Sequence, residues 1–351
     1  MVENMKILYI TDNLDPHTGW GRYSRGVIDE MKRRGLRLAE LTAEQLPKPR
    51  SFFDFMRNCL RARRAARGYE IVHALDTWPF GLYALGAVLG TNKKLFINAV
   101  GTYSVAPLSN LVKRFIVACV YARASKVFAI SNYVAKLVRE KIKTNKIITV
   151  YLGLSPLPVP SEQDLTWAKN LIAGRSPVLL TVGAVEARKG QKDVAEAVSS
   201  LKKDYPNMLY IMTGVNRDIA YLESIEHGRN VIYVPDAGTD ARLAALYSLA
   251  NVFLLVSRRL GDHVEGFGLV ALEAASFGLP AVGSCDSGVA EAMSDGYNGY
   301  AVPSGEPGEI AQAVNKILSG DYEKLHANSK EWASRFSWEK TVGAYINEYD
   351  K

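Results

Sequence analysis

The sequence predicts an α/β fold in which two doubly wound parallel sheets follow one another along the chain. Short apolar runs alternate with longer amphipathic segments over the first 150 residues, a pattern typical of parallel strands covered by helices. Three prolines then fall within residues 151–160, a composition that ends regular elements and is typical of a linker. The alternation begins again beyond them, and 351 residues suffice for two domains of ordinary size.

The first domain is predicted to hold six strands separated by helices. The apolar runs place the strands at residues 7–11, 38–41, 71–74, 95–99, 127–130 and 147–151. Amphipathic segments place helices at residues 21–34, 52–67, 108–123 and 132–143.

The second domain repeats this arrangement. Strands are predicted at residues 178–182, 209–213, 231–234, 252–256 and 281–284, and helices at residues 193–201, 242–249 and 269–277. Ligands of doubly wound sheets bind at the carboxyl ends of the strands. We therefore expect the reaction to take place in a cleft between the two sheets.

Composition points to a cytoplasmic globular protein. No apolar run approaches the roughly 20 residues that span a bilayer, and residues 5–12 are typical of a buried strand rather than of a signal peptide. The three cysteines lie far apart without His or Cys neighbours at metal-ligand spacing, so we expect buried thiols. No metal site is predicted.

Charge is distributed unequally along the chain. Residues 1–150 hold 25 Lys and Arg against 11 Asp and Glu, whereas residues 151–351 hold 18 against 25. Such an asymmetry indicates that the first half meets an anionic partner, a membrane surface or a lipid phosphate, or else that its lysines are merely solvated. Nucleic acid is disfavoured because no recognised binding motif accompanies the charge.

Residues 265–273 contain the most informative motif. They follow a predicted strand, and the helix that begins near Leu269 presents its unpaired amides where Gly266 and Gly268 let a ligand approach the backbone. These amides and the helix dipole predict an anion site.

Two carboxylates flank this anion site. Glu265 is placed to reach sugar hydroxyls near a bound phosphate, and Glu273 to accept hydrogen bonds from the two hydroxyls of a ribose. A capped helix with two incidental glutamates would show the same residue types, but the flanking glycines favour a binding site.

The segment 265–302 resembles the signature of the family 4 retaining glycosyltransferases. The matching motifs are Glu-Gly-Phe-Gly at 265–268, Leu-Glu-Ala at 272–274, Gly-Leu-Pro-Ala-Val at 278–282, Ser-Gly-Val-Ala-Glu at 287–291 and Asp-Gly-Tyr-Asn-Gly at 295–299.

The resemblance covers nearly the whole chain. It implies a GT-B fold, in which two Rossmann-like domains face each other across a cleft and the C-terminal one binds the nucleotide sugar. It also implies a donor-sugar contact at Glu265, a ribose contact at Glu273 and a diphosphate held by the backbone of Gly266, Phe267, Gly268 and Leu269. We place an acceptor-binding domain at 1–155, a donor-binding domain at 156–333 and, by resemblance to the family's closing segment, a helix at 334–351 that crosses back to the first domain.

A second donor-side motif follows the strand at 178–182. Gly183 ends that strand, and Arg188 and Lys189 form a cationic pair of the kind that a departing diphosphate requires. The family usually has an arginine directly after the first glycine, where this chain has Ala184, so Arg188 is the candidate replacement. A solvated turn is the alternative interpretation.

A glycine-rich turn follows the first strand. Gly19 and Gly21 open the next helix, and the family places a similar loop against the donor phosphate and the acceptor, which also implicates Arg22. The same turn is compatible with a nicotinamide-dependent dehydrogenase whose ribose would be held by Glu40, although the second half of the chain then has no explanation.

The clearest departure from the family lies at residues 98–103. Many relatives carry a histidine directly before the Gly-Thr pair, where it touches the donor sugar, and this chain has Val100. His73 and His263 are candidate replacements, although a single histidine at a strand end is more often structural.

Two predicted helices combine apolar stripes with basic residues. Residues 51–67 carry an apolar side with five arginines around it, and residues 108–123 carry a similar stripe beside Lys113 and Arg114. Such helices either lie on anionic membranes or face the core of the domain.

The resemblance to the family, together with these residue patterns, implies a metal-independent retaining glycosyltransferase without a resident cofactor. It would move a hexose from a UDP- or GDP-sugar to a hydroxyl acceptor, a lipid-linked or cell-envelope glycan, in the cytoplasm or at the inner face of the membrane. A non-catalytic sugar-nucleotide-binding or membrane-associated scaffold of the same fold is the alternative, suggested by Val100 and Ala184.

Overall fold

The computed structural model describes residues 5–225, 228–235, 237–320 and 322–351. Contacts divide the chain into two units, one holding the chain up to Ser155 together with Phe336–Lys351, and the other holding Pro156–Arg335. Each unit contains one six-stranded parallel sheet with flanking helices. The two α/β halves agree with the sequence prediction, and the second sheet has one strand more than the five predicted.

The sheet of the first unit has the strand order β2-β1-β3-β4-β5-β6. Its strands are β1 (Lys6–Ile10), β2 (Arg37–Leu41), β3 (Ile71–Ala74), β4 (Lys94–Ala99), β5 (Lys126–Ala129) and β6 (Ile147–Thr149). Its helices in this part of the chain are α1 (Gly19–Arg33), α2 (Phe52–Ala65), α3 (Phe80–Val88), α4 (Thr102–Val105), α5 (Leu111–Arg123) and α6 (Asn132–Arg139). Because crossovers between parallel strands are right-handed, α1 lies on one face of the sheet, and α2, α3, α5 and α6 lie on the other.

The sheet of the second unit has the order β12-β11-β10-β7-β8-β9. Its strands are β7 (Val178–Val182), β8 (Leu209–Thr213), β9 (Val231–Val234), β10 (Val252–Leu255), β11 (Ala281–Ser284) and β12 (Gly299–Val302). Its helices are α7 (Glu162–Ile172), α8 (Gln191–Leu201), α9 (Ile219–Glu223), α10 (Asp240–Leu249), α11 (Leu269–Ser276), α12 (Val289–Ala292), α13 (Pro307–Ser319) and α14 (Tyr322–Ser334).

Local chemistry fixes where several elements begin. Ser51, Asn110 and Ser131 accept hydrogen bonds from first-turn amides of α2, α5 and α6, which satisfies donors that a helix cannot pair internally. The central strands β3, β7 and β10 are buried along their whole length because helices cover both faces of a parallel sheet. None of the described helices is both long and apolar enough to cross a bilayer.

The chain's last helix, α15 (Trp338–Tyr349), belongs to the first unit and packs on α1. Trp338 needs glycine at two facing positions, since a Cβ on Gly26 would lie 2.0 Å from its ring and a Cβ on Gly153 2.2 Å from its backbone nitrogen. Its indole Nε1 donates to the Ser155 hydroxyl at 2.8 Å. Residues that are far from α15 in the sequence therefore fix its position.

Behind α15 lies a buried polar network around His73. The Tyr349 hydroxyl is 2.5 Å from His73 Nδ1, and His73 Nε2 is 2.6 Å from Asn98 Oδ1. Because the Asn98 amide nitrogen donates to the hydroxyls of Tyr345 and Tyr23, its oxygen must accept, so His73 carries its proton on Nε2. Burial lowers the pKa of His73 to about 3, so the ring is neutral.

Some expectations from the sequence need correction. The predicted helix at 108–123 divides into a 3-10 turn at Ala106–Ser109 and α5, since Asn110 caps a new helix. Strand β12 was not anticipated, because it has only four residues, begins with a glycine and has two partly exposed residues in its middle at the sheet edge. Only Cys59 is buried as expected; Cys119 and Cys285 are exposed free thiols because they lie on the outward side of α5 and just after β11.

The neutral His73 predicts a pH-dependent loss of stability. Its folded-state pKa lies below the ordinary value of 6.5, so only the unfolded chain binds the proton as the pH falls from 6.5 towards 3. The stabilisation is complete above pH 6.5 and is lost below it, at up to about 1.4 kcal/mol per pH unit. Urea unfolding between pH 7 and pH 4.5 should show this slope in the wild type and a shallower slope in His73→Gln. His17→Gln, at an exposed position of the same unit, should keep the wild-type slope; equal slopes in all three proteins would contradict the assignment.

Candidate active site

Three loops meet at the carboxyl edge of the second sheet. Strands β7, β10 and β11 are neighbours in the order β11-β10-β7, and they run parallel. The loops that follow them therefore leave the sheet side by side. These loops carry the residues that the sequence singled out at 183–189, at 265–269 and at 287–291.

An ion cluster joins two of these loops. Glu265 Oε2 accepts a hydrogen bond from Arg188 Nη1 at 2.8 Å and from the Lys189 ammonium. Arg188 Nη2 also donates to Glu186 at 2.6 Å. The side chains of Glu265, Arg188 and Lys189 are only 15%, 17% and 12% exposed, so their charges are poorly screened by water. The three residues predicted to act on the donor thus contact one another.

The charges of this cluster decide its protonation. Burial by itself would raise the pKa of Glu265, but the charges of Lys189 and Arg188 outweigh burial and lower it to about 2. Burial by itself would likewise lower the pKa of Arg188, and the Glu265 carboxylate reverses that effect and raises it. Glu265 and Arg188 are therefore both ionised at neutral pH.

Gly183 lies beside this cluster, at the end of β7. Its φ of +141° suits glycine, and a Cβ there would lie 3.7 Å from Lys189 Cε. Ala184, which occupies the family's arginine position, provides a carbonyl that accepts from the Gln191 side chain at 2.9 Å. The structure therefore brings Arg188, rather than residue 184, to the carboxylate.

The third loop holds the glycine-rich motif in place. Gly288 donates its backbone N–H to the Glu265 carbonyl at 3.0 Å, and a Cβ on Gly288 would lie 2.1 Å from the Gly266 oxygen. Gly268 caps α11 with a φ of +87°, a left-handed conformation that favours glycine. Phe267 is 1% exposed and anchors the motif in the core. The sequence resemblance included Gly288 without showing this contact.

Helix α11 begins at Leu269, as the sequence predicts. Gly266, Phe267 and Gly268 are buried, whereas Leu269 and Val270 are partly exposed. A ligand reaching this helix from solvent therefore meets its first turn at Leu269 and Val270.

Glu273 lies one turn into the same helix and is 3% exposed. Its Oε2 accepts a hydrogen bond from the Tyr247 hydroxyl of α10 at 3.1 Å. Tyr247 in turn stacks on Phe277, with ring centroids 5.5 Å apart. Sequence reasoning missed Tyr247, since nothing along the chain relates it to Glu273.

Arg258 is a further cation at this edge that sequence reasoning did not single out. Its guanidinium pairs with Asp193 of α8, and its backbone N–H donates to the Arg188 carbonyl at 2.8 Å. Asp193 is 7% exposed, so the pair is largely withdrawn from water. This backbone contact fixes the position of the loop that carries Arg188.

Gly19 and Gly21 lie in the first unit, at the start of α1. Thr18 caps that helix by accepting from the Gly21 amide at 2.9 Å. A Cβ on Gly21 would lie 1.9 Å from the Asp15 oxygen, whereas Gly19 faces open space. Arg22 Nε donates to the Pro16 carbonyl at 2.8 Å, so this side chain braces the loop. The close approach of Asp15 thus requires a glycine at position 21, whereas the surroundings of Gly19 would also accommodate a side chain.

A small pocket lies at the carboxyl edge of the first sheet. It is lined by carboxylates, a lysine and aromatic rings that follow β1, β2, β3 and β4, among them Asp12, Trp20, Lys48, Asp76, Trp78 and Tyr103. Lys48 Nζ lies 5.9 Å from the Tyr103 ring centre. Burial raises the pKa of Asp76 well above its ordinary value. Sequence reasoning did not group these residues, although each follows a strand.

The two histidines considered as replacements for the family histidine lie in different surroundings. His73 is fully buried and holds α15 in place, so the suggestion that it replaces the missing family histidine is wrong. His263 is exposed in a turn, where its backbone pairs with that of Leu260. Val100 is half-buried, and its amide donates to the Ser104 hydroxyl at 2.9 Å.

The Gly288 contact predicts a large effect from adding one methyl group. Gly288→Ala would place its Cβ against the Gly266 carbonyl and force the two loops apart, so we expect a loss of about 3 kcal/mol in the free energy of unfolding. Gly308→Ala, at a position with no atom within 4 Å of the added Cβ, should be nearly neutral. Equal urea midpoints for both variants would show that the loops do not constrain each other.

Comparisons with known families and structures agree with this architecture. Residues 162–334 match the family Glycosyl transferases group 1, and residues 22–156 match Glycosyltransferase Family 4. The two matches together include every predicted site residue except Gly19 and Gly21.

Related glycosyltransferase sequences align with different fractions of this chain. An uncharacterized glycosyltransferase of Methanocaldococcus jannaschii is 23% identical over 82% of this chain and 76% of its own length. The N-acetyl-alpha-D-glucosaminyl L-malate synthase of Bacillus anthracis is 25% identical over 80% of this chain and 72% of its own. A D-inositol 3-phosphate glycosyltransferase of Geodermatophilus obscurus is 30% identical over 54% of this chain, and the match spans only 44% of that enzyme.

Solved structures show the same fold. Anabaena HepE, determined with UDP and glucose, superposes with a TM-score of 0.77 at 17% identity and covers 99% of both chains. A glycosyltransferase of Rickettsia africae gives a TM-score of 0.79 at 17% identity over 99% of this chain and 98% of its own. The predicted GT-B fold is thereby confirmed, and with both halves of the chain matched, this protein belongs to the family 4 glycosyltransferases.

Proposed function

We propose that this glycosyltransferase moves a hexose from a UDP- or GDP-sugar to a hydroxyl acceptor with retention of configuration and without a metal ion. The acceptor is a lipid-linked or cell-envelope glycan, met on the cytoplasmic face of an anionic membrane. The observation that carries the donor side is the contact of Arg188 and Lys189 with Glu265 beside the first turn of α11.

Hydrogen-bonding capacity supports diphosphate binding at this cluster. A lysine ammonium has three donors, and among the described residues Lys189 uses only one, to Glu265. Arg188 has five N–H groups and uses two, to Glu265 and Glu186. Both cations thus retain donors for phosphate oxygens without releasing the carboxylate.

The balanced charge of the cluster suits a ligand whose negative charge increases as the reaction proceeds. Arg188 and Lys189 are balanced by Glu265 and Glu186, so the resting cluster is neutral. A departing diphosphate gains charge in the transition state, and preoriented cations stabilise that gain more than they stabilise the bound donor. The positive end of α11 adds to this effect.

The ribose of the nucleotide is assigned to Glu273. Tyr247 donates to one carboxylate oxygen of Glu273 at 3.1 Å and orients the carboxylate, which places a hydrogen-bond acceptor for ribose hydroxyls one turn into α11. The relative HepE was solved with UDP and with UDP-glucose, which supports a nucleotide-sugar donor for a chain of this fold.

The proposed transfer step breaks the bond between the sugar C1 and the phosphate oxygen. The acceptor oxygen forms its bond to C1 on the same face, and its proton passes to the departing phosphate oxygen. Lys189 and Arg188 stabilise that phosphate, and Glu265 accepts hydrogen bonds from hydroxyls of the sugar. This assignment requires no covalent intermediate and no metal ion.

Screening the protein for thermal stabilisation by UDP, GDP and their sugars tests the donor assignment directly. A donor should raise the unfolding temperature, because it binds the folded state only. Failure of every nucleotide sugar to do so would refute the donor assignment, whereas stabilisation without donor hydrolysis or transfer would favour the non-catalytic sugar-nucleotide-binding scaffold that Val100 and Ala184 suggest.

Removing the Lys189 charge should slow transfer far more than it weakens donor binding. Lys189→Met keeps the apolar stem and removes the ammonium, so we expect donor hydrolysis or transfer to fall about a hundredfold in kcat. Lys203→Met, at an exposed position of the same unit, should retain wild-type turnover. A Lys189→Met enzyme with unchanged kcat would remove this lysine from the mechanism.

Replacing Glu273 should weaken nucleotide binding. Glu273→Ala deletes the acceptor of the ribose hydroxyls, and a charged hydrogen bond of this kind accounts for about tenfold in affinity. Calorimetry with UDP measures the change, and Glu309→Ala on the exposed side of α13 is the matched control. Because Glu273 is buried, Glu273→Gln provides a second variant of similar shape; unchanged UDP affinity in folded protein would refute the ribose contact.

A further inference from the structure

Large apolar side chains are exposed at the beginnings of two helices in the first unit. The group comprises Phe52 (71% exposed), Phe53 (83%), Met56 (42%), Leu111 (70%), Val112 (68%) and Phe115 (70%), and we call it the apolar rim. Only part of each apolar stripe faces the core: Cys59 is buried, and Phe55 packs on Tyr83 with ring centres 5.9 Å apart. The core-facing explanation therefore does not cover the rim.

The two helices of the rim belong to one layer of the fold. Helices α2 and α5 both contact α3, which lies between them on the same face of the sheet. The rim residues occur in the first turns of α2 and α5, which point the same way because both helices connect parallel strands. The exposed apolar groups therefore share one end of one face.

The charge around the rim has one sign. Residues 48–67 contain seven Lys and Arg against a single acid, Asp54, which is paired with Arg57 at 2.6 Å. Helix α5 contains Lys113, Arg114 and Arg123 and no acidic residue. A groove of about 440 Å³ beside α5 is lined by Arg114, Lys141 and Lys143 together with Leu111 and Phe115. Exposed apolar side chains surrounded by cations suit a surface of anionic lipids, because the apolar groups insert among the lipids and the cations attract the headgroups.

The rim adjoins the pocket at the carboxyl edge of the same sheet. Lys48 lines that pocket and is four residues before Phe52, so the two lie within about 14 Å of each other. Lys113, next to Val112, lies with its Nζ 5.6 Å from the ring centre of Trp78, which also lines the pocket. A surface on which the rim rests would therefore lie next to the pocket.

We propose that the apolar rim docks on an anionic phospholipid surface and places the first-unit pocket against it, so that the acceptor is a membrane-embedded amphiphile with its hydroxyl at the headgroup level. This inference rests on the proposed glycosyl transfer and names the class of acceptor. A second copy of this chain is a poorer occupant, because two equally cationic rims would repel each other.

Vesicle flotation tests the surface with the full chain. The wild type should float with vesicles of phosphatidylglycerol and phosphatidylcholine and should remain unbound with phosphatidylcholine alone. Phe52→Ser with Phe53→Ser should reduce the partition coefficient about tenfold for each ring removed. Arg57→Gln with Arg64→Gln should reduce it about fivefold for each charge removed, and added salt should reduce wild-type binding in the same way.

Matched controls separate the rim from exposed apolar or basic residues in general. Val159→Ser and Ile219→Ser remove apolar groups that are 91% and 67% exposed outside the rim, and Lys203→Gln with Lys330→Gln removes two exposed charges of the second unit. These variants should bind vesicles as the wild type does. Equal loss in controls and rim variants, or equal binding to both vesicle types, would overturn the proposal. Loss of a wild-type dimer in the rim variants, seen by sedimentation velocity, would instead assign the rim to a second copy and overturn it as well.

A solution assay distinguishes failure of this inference from failure of the proposed reaction. UDP binding and donor hydrolysis without vesicles should be the same in the wild type and the rim variants, since the rim lies outside the second unit. If vesicle binding depends on the rim residues but no nucleotide binds, the docking surface is supported and the proposed reaction is refuted. If nucleotides bind but flotation does not depend on the rim residues, the proposed reaction is supported and the docking surface is refuted.

Discussion

One buried carboxylate, Glu265, organises the candidate donor site of the second unit. It accepts hydrogen bonds from Arg188 and Lys189, which lie 77 and 76 residues earlier in the chain. The contact is possible because β7 and β10 are parallel neighbours, so the loops after them leave at the same edge. The mutual attraction of these charges, poorly screened by water, keeps Glu265 and Arg188 ionised and holds two loops together.

Close packing of the backbone also holds in place the loops that the ion cluster joins. Gly288 and Gly266 approach so closely that neither loop can move inward, and the Gly268 conformation starts α11 at the required angle. Phe267 anchors the loop from beneath, and Tyr247 fixes Glu273 from the neighbouring helix. The glycines of the motif thus have a packing role of their own, in addition to the access that they are expected to give to a ligand.

In the first unit, the comparable constraint is a neutral network rather than an ion cluster. Tyr345 and Tyr349 of the last helix reach Asn98 and His73, so residues near the end of the chain satisfy polar groups in the middle of the sheet. A histidine with a lowered pKa at a strand end has the electrostatic signature of a catalytic group. Its full burial and its two hydrogen bonds show that here it is structural.

The sequence alone predicted the two α/β halves and every described strand except β12, and it singled out the candidate donor-side residues, because apolar periodicity and glycine-rich turns are local signals. It also predicted that Arg188 replaces the arginine missing at Ala184, and the structure places Arg188 on Glu265. Only the tertiary structure decided which apolar helix residues face the core, since a stripe on α2 has the same pattern whether it is covered or exposed. It also decided the partners Tyr247 and Gly288 and the structural use of His73, because these contacts join positions that no local pattern connects.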